Sequence, residues 1–301
     1  MGQTAICSDD GRLSIWYERP ALHLSRYISA YDSYRSDLPP GEVGQDVLPP
    51  AWASIRFMLG DGYWGAKLGR RNYDPGPRDA LFGPSSHAGF SRYGSMRVVC
   101  AGLTPLGWAR FVAQDASLHA DRIVDADAVW PRHASALRAA VEKADDPAAA
   151  FDAYFTDLLD RTEPEEPEIA RLLELLLDPA MIAITEMAER MDMNPRTLGR
   201  LSARHFGFTP KLLLRRARFM RAMIQILRTD RGGWGALVHE AGYHDQSHFV
   251  RDCQLFLDMP MSAFVQRPKP MFEASLRLRA AVLGTPAQAL HPAPQCLTIS
   301  G

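Results

Sequence analysis

Apolar positions along the chain fall into two regimes. Over 15–130 they come in short runs, 54–59 and 96–101 among them, separated by turn clusters at Asp61-Gly62, Asp74-Pro75-Gly76-Pro77 and Gly83-Pro84-Ser85-Ser86. Short apolar runs between Gly- and Pro-rich punctuation predict strands. After Pro131 the period changes. Leu137, Ala140 and Val141, then Phe151, Tyr154, Phe155, Leu158 and Leu159, recur at helical spacing and predict helices over 133–143 and 147–160. The Pro/Glu run at 163–168 reads as a linker or as the first turn of a helix, where proline is tolerated and carboxylates face the positive end of the dipole. Helical patterning then continues to about Val265. A short helix is expected over 273–282 among prolines, and the last ~15 residues read as disordered.

Four segments follow: 1–130, a β-rich domain; 131–160, a helical connector; 161–268, an all-helical domain; and 269–301, a tail. The fold class is α+β multidomain. The β-rich part is expected to be a sensing or dimerisation domain, with a small cupin-like barrel as its expected form. Five of the six tryptophans, Trp16, Trp52, Trp64, Trp108 and Trp130, lie in this part and are expected in its core.

The helical domain contains one arrangement twice. In the first copy Ile184, Met187, Ala188 and Met191 form an apolar helix stripe, and Asp192-Met193 makes a turn. Asn194 then serves as N-cap of a second helix with Pro195 at its first position. Leu198 and Leu201 face the core, Gly207 is the C-terminal stop, and Arg196, Arg200 and Arg204 recur on the opposite face. In the second copy a helix over 235–241 is stopped by Gly242. Tyr243-His244 forms the turn, Asp245 is the next N-cap, and a helix runs to about Leu257. Phe249, Cys253, Phe256 and Leu257 form its buried stripe, with Gln246, Ser247, Val250 and Arg251 outward. Between the copies Thr209 caps and Pro210 opens a helix reaching Leu227, about 27 Å long at ~1.5 Å per residue. Such a rod suits two reading helices spaced roughly one DNA turn, ~34 Å, apart.

These residues resemble the DNA-binding domain of AraC/XylS-type transcriptional regulators. The first unit of the pattern is met by Ile184, Met187, Ala188, Leu198, Arg200, Gly207, Thr209, Pro210, Arg218 and Ala222. The second is met by Ala241-Gly242-Tyr243, Asp245, Ser247-His248-Phe249 and Arg251. The likeness covers about 100 of the 301 residues and rests on two ordered motifs, which makes it far more specific than a lone helix-turn-helix. Departures are Cys253 in place of the usual Phe, Asp258 in place of Gly, Pro260 one position early before Phe264, and Trp234-Gly235 in place of an isoleucine pair. A second resemblance covers 83–130, including Gly102-Leu103-Thr104-Pro105-Leu106-Gly107, to the amino-terminal domains of some regulators of this type. It implies a small-molecule effector site in the barrel and names no ligand.

Net charge alone points to no partner: 34 Lys and Arg oppose 35 Asp and Glu. Its distribution does. Eleven Lys or Arg against two Asp between Arg190 and Arg231 give +9, so the remainder carries −10. Double-stranded DNA is therefore the expected partner. Arg196, Arg200, Arg204, Gln246, Ser247, His248 and Arg251 are the expected DNA-binding residues, since Arg can bond guanine O6 and N7 together and Gln can pair with adenine. His248 also has a plain alternative in packing or a phosphate contact. Arg215, Arg216 and Arg221 on the connecting helix are expected at phosphates.

Competing chemistry finds less support. His244 and His248 flank Asp245 without a third ligand, and His87 and His119 are isolated, so no metal or cofactor is expected. No Gly-rich phosphate loop, nucleophile elbow or paired carboxylate motif occurs, so no catalytic residue is assigned. Cys7, Cys100, Cys253 and Cys296 have no paired spacing, which suits a reducing cytosol. The start of the chain lacks a signal peptide's basic and apolar regions, and no run reaches 18 apolar residues; a cytoplasmic protein without a membrane is expected. A homodimer stays open. So does the other class, an enzyme or small-molecule-binding barrel whose helices serve assembly. An Ada-like DNA-repair regulator, which would need clustered reactive cysteines, is its specific form.

Overall fold

The computed structural model describes residues 4–7, 11–229 and 234–290. Asp230, Arg231, Cys296 and most of the expected disordered tail lie outside the described residues.

Among the described residues eleven strands precede the helical half: β1 (Thr4–Cys7), β2 (Leu13–Glu18), β3 (Ile28–Ser36), β4 (Gly44–Leu48), β5 (Ser54–Leu59), β6 (Trp64–Leu68), β7 (Arg71–Tyr73), β8 (Asp79–Phe82), β9 (Gly89–Tyr93), β10 (Met96–Leu103) and β11 (Ile123–Asp125). They form two antiparallel sheets, one ordered β1-β2-β3-β10-β5-β8-β11 and one ordered β4-β9-β6-β7. Strands in the middle of the larger sheet are apolar on both faces. β5 is buried at every position but Arg56, because one face meets the smaller sheet and the other is covered by helices, which abolishes the usual alternation.

Those covering helices begin inside the β-rich part. After β10, Thr104 caps α1 (Pro105–Gly107), which continues as one wider turn through Val112. The sequence pattern assigns this stretch no helix, because its eight residues are too few to display a period. α2 (Ala126–Val129), α3 (His133–Lys143) and α4 (Pro147–Arg161) follow. Phe151 stacks on Tyr31 at 5.1 Å and on Phe57 at 6.5 Å, seating α4 on the larger sheet. All five tryptophans but Trp16 are buried, as expected of a core.

The Pro/Glu run opens a helix, α5 (Pro167–Leu177). Next come α6 (Ile184–Arg190), α7 (Pro195–Phe206), α8 (Pro210–Arg228), α9 (Trp234–Glu240), α10 (Gln246–Leu257), α11 (Met261–Gln266) and α12 (Pro270–Leu283). Packing does not break at 161–168. One continuous apolar core contains Ile55, Trp108 and Phe155 together with Leu172, Met187, Leu198 and Phe206. A second core joins α8 and α10 to Val47 of β4 and to Ala88, which directly precedes β9. The tail also differs from expectation: α12 is longer than the stretch 273–282 and lies on the sheets, with Met271, Ala274 and Leu278 in the core between them.

Candidate nucleic-acid interface

Two helix pairs, α6–α7 and α9–α10, are built from local rules and joined by α8. In the first, Met187 and Ala188 are buried and Met193 N–H returns to Ala188 O at 3.0 Å across the turn. Asn194 Oδ1 accepts from Thr197 N–H at 2.9 Å and Pro195 occupies the first helical position. At the other end Gly207 has φ +83° and its N–H bonds Ala203 O at 3.0 Å, a left-handed stop that glycine adopts without a side-chain clash. Thr209 Oγ1 accepts from Leu212 N–H at 3.4 Å, opening α8, whose 19 residues span about 28 Å. In the second pair Gly242 has φ +86°, and Asp245 Oδ1 accepts from His248 N–H at 2.9 Å. That N–H holds the Asp245 carboxyl below its ordinary range, with the nearby His248 ring assisting.

The outward faces carry what these caps position. Arg196, Arg200 and Arg204 are exposed on α7, and none makes an ion pair or side-chain hydrogen bond among the described residues. On α10, Gln246, Ser247, His248, Val250 and Arg251 are exposed. His248 Nδ1 lies 3.2 Å from Asp245 Oδ2, and Arg251 Nε donates to Ser247 O at 3.3 Å along its own helix. Phe249, Cys253, Phe256 and Leu257 are buried beneath, so α10 divides as its periodicity predicts. No group of three or more side chains able to hold a metal occurs among the described residues.

The connecting helix requires a correction. Arg216 is 1% exposed; its Nη1 donates to Ala51 O at 3.2 Å and Ser85 O at 2.8 Å, and its guanidinium lies 4.0 Å over the Trp52 ring. Burial pulls its pKa down to about 9. It is a bolt between the two halves and has no path to a phosphate here. Arg215, 39% exposed, pairs with Asp252 of α10, and Arg221 donates to Leu177 O at 2.8 Å, so both also make contacts within the protein. The spacing of these arginines resembles a solvated face, but the β-rich half covers one side of α8 and α10 packs against another.

Asp252, which the sequence reading passes over, is the hub of this packing. It is 4% exposed and also accepts from Tyr243 Oη at 2.7 Å. Its signal was available: an acidic residue beside Cys253 in the buried stripe needs a partner. Two further contacts cross between the halves, Ala88 N–H to Phe256 O at 2.7 Å and the His87 ring to Leu255 O at 2.6 Å.

Two capped helix pairs on one rod, each with an exposed polar face, define a double helix-turn-helix protein. Residues 187–267 match the family model described as a helix-turn-helix domain, and this segment is a helix-turn-helix domain of the AraC type. No curated protein matches the chain in sequence. Among solved structures the chain is similar to ToxT from Vibrio cholerae, with 8% identity over 74% of this chain and 97% of that one and a TM-score of 0.42. It is also similar to unsaturated fatty acid bound ToxT from the same organism, at 12% identity, 74% and 94% coverage and a TM-score of 0.40. The AraC-like transcriptional activator CuxR gives 12% identity, 73% and 86% coverage and a TM-score of 0.32.

Proposed function

We propose that the protein is a transcriptional regulator that binds specific double-stranded DNA through α7 and α10 and is controlled by a small molecule bound in its β-rich half. The observation that carries the DNA reading is the set of three exposed, uncommitted arginines on α7, an AraC-type domain's first reading helix, held in place by the Asn194 cap and the Gly207 stop. Arg196, Arg200 and Arg204 supply the charge and the forked donors for base edges and phosphates. Gln246, Ser247, His248 and Arg251 take the equivalent role on α10.

Two of the four cysteines argue against the repair reading, while Cys7 is exposed. Cys100 and Cys253 are buried, and burial pushes both thiols up, Cys253 to about 12. A nucleophilic cysteine needs the opposite shift. We assign this regulator to the cytoplasm, where it would meet the DNA that it reads.

The test uses the full chain and DNA selected by it from a fragmented-genome pool. Arg196→Ala and Arg200→Ala are expected to weaken binding and to flatten the dependence of log affinity on log salt by up to ~0.9 per lost phosphate contact. Binding unchanged in both variants, or a folded wild-type chain that selects no DNA, overturns the proposal.

A further inference from the structure

The polar face of α10 carries one apolar side chain that neither the core nor the contacts proposed above account for. Val250 is 54% exposed. The other large apolar side chains exposed among the described residues are Leu22, Val43, Leu118 and Ile182, none of which lies on α7 or α10. Single apolar residues are ordinary on a protein surface. What sets Val250 apart is its place.

It stands one turn after Gln246 on the same row of the helix, and Arg251 follows Ser247 on the row beside it. Phe249, Cys253 and Phe256 form the buried stripe on another side, so Val250 projects away from the core. Helix formation does not account for it either: a β-branched side chain loses rotamer freedom in a helix, and alanine or glutamine would hold an exposed position better. Its neighbours leave it uncovered. Arg251 Nε turns back to Ser247 O at 3.3 Å, and Gln254, the next residue on the row of Val250, donates to Asp258 Oδ1 at 3.0 Å. Base contacts of a reading helix come from its N-terminal turns. Gln246 and Val250 are thus the two residues of this row left to meet base edges.

We infer that Val250 reads a thymine, its isopropyl group lying against the C5-methyl group in the major groove, within about two base pairs of the base that Gln246 meets. This rests on the DNA-binding reading above. The four-residue step from Gln246 is about 6 Å along the helix, less than two base-pair steps of ~3.4 Å. Thymine alone presents a methyl group in the major groove; cytosine has a hydrogen in its place beside an amino donor, and the purines present N7 with a further acceptor or donor. Valine can satisfy none of those polar groups. Pressed against them it displaces water and returns no hydrogen bond, which is costly. Against a methyl group it removes apolar surface of both partners from water.

The experiment measures binding of the full-length protein to the operator it selects from the fragmented-genome pool, with each thymine in turn replaced by deoxyuridine, which removes the C5-methyl group and keeps the base pair. One position is expected to weaken wild-type binding about fourfold, the worth of one buried methyl group. Val250→Ala should weaken the unmodified operator at least as much and lose less than twofold to deoxyuridine at that position, since each change removes the same contact. A cytosine there should bind poorly, and 5-methylcytosine should recover part of the loss in the wild type alone. Alanine is the better helix former, so the loss in Val250→Ala does not come from a frayed α10, and a circular dichroism melt checks the fold. The slope of log affinity against log salt should be the same in Val250→Ala as in the wild type, because valine neutralises no phosphate.

Four results overturn the inference: deoxyuridine without effect at every position, equal losses for wild type and Val250→Ala at the sensitive position, a changed salt slope in the variant, or a variant that binds the unmodified operator as the wild type does. The last would assign Val250 to a protein partner. Selection of DNA whose methyl groups do not matter removes this inference alone. A folded chain that selects no DNA removes the DNA-binding reading and this inference with it.

Discussion

Arg216 and Asp46 show how a single residue's role depends on which surface it meets. Arg216 is expected at a phosphate from the sequence, and nothing in the sequence singles out Asp46. Arg216 is instead held by two carbonyls and the Trp52 face. Replacing it with alanine takes the side-chain donor from Ser85 O, leaves Ala51 O with Ser85 N–H alone and empties the space over Trp52; a loss of about 2–4 kcal/mol is expected in urea unfolding. An unchanged urea midpoint would show that the bolt carries no load. Asp46 is 2% exposed, and burial raises its pKa to about 6 despite three backbone N–H donors. The native state therefore binds this proton more tightly than the unfolded chain. Its contribution is fully present below pH ~4 and is lost as pH rises through about 6, by up to about 3 kcal/mol. Asp46→Asn removes that slope, so the stability of the variant relative to wild type should increase between pH 4.5 and pH 7. A gap equal at both pH values rejects the assignment.

At the scale of elements the sequence was most legible where structure is local. Capping residues act over three or four positions, so Asn194, Thr209 and Asp245 could be placed from spacing alone, and each accepts the backbone N–H of its own first turn. Asn194→Ala is expected to cost about 1 kcal/mol in urea unfolding and to weaken DNA binding through a frayed α7. Gly207→Ala should cost more than the ~1–2 kcal/mol of a left-handed alanine, because a Cβ there also comes within 2.6 Å of Pro84 Cγ. If Gly207→Ala proves no worse than Asn194→Ala, the contact between α7 and the β-rich half yields to the added methyl group. Elements too short to show a period were not legible, α1 and α2 among them.

At the scale of the molecule, the expected division into a sensing half, a connector, a DNA-binding half and a tail meets one fabric of packing. α6, α7 and α5 share a core with the sheets, and α12 closes the other side. Removing 269–301 strips buried Met271 and Leu278 from the core between the sheets and Phe272 from the core around α8 and α10, each side chain worth roughly 1.5–3 kcal/mol of burial. The truncated chain should unfold at lower urea and bind a hydrophobic dye; a truncated chain as stable as the full one would return α12 to the status of a tail. Sequence by itself determined the strand-rich and helix-rich halves, the two capped helix pairs and the basic face of α7. Those features rest on turn chemistry and on periods of two or 3.6 residues, which act between near neighbours. Tertiary structure alone decided which arginines stay free. Arg200 and Arg216 are alike in residue type and local pattern, yet one faces solvent and the other the Trp52 ring. The difference comes from segments more than a hundred residues away, and burial forces a charge to find its partners there.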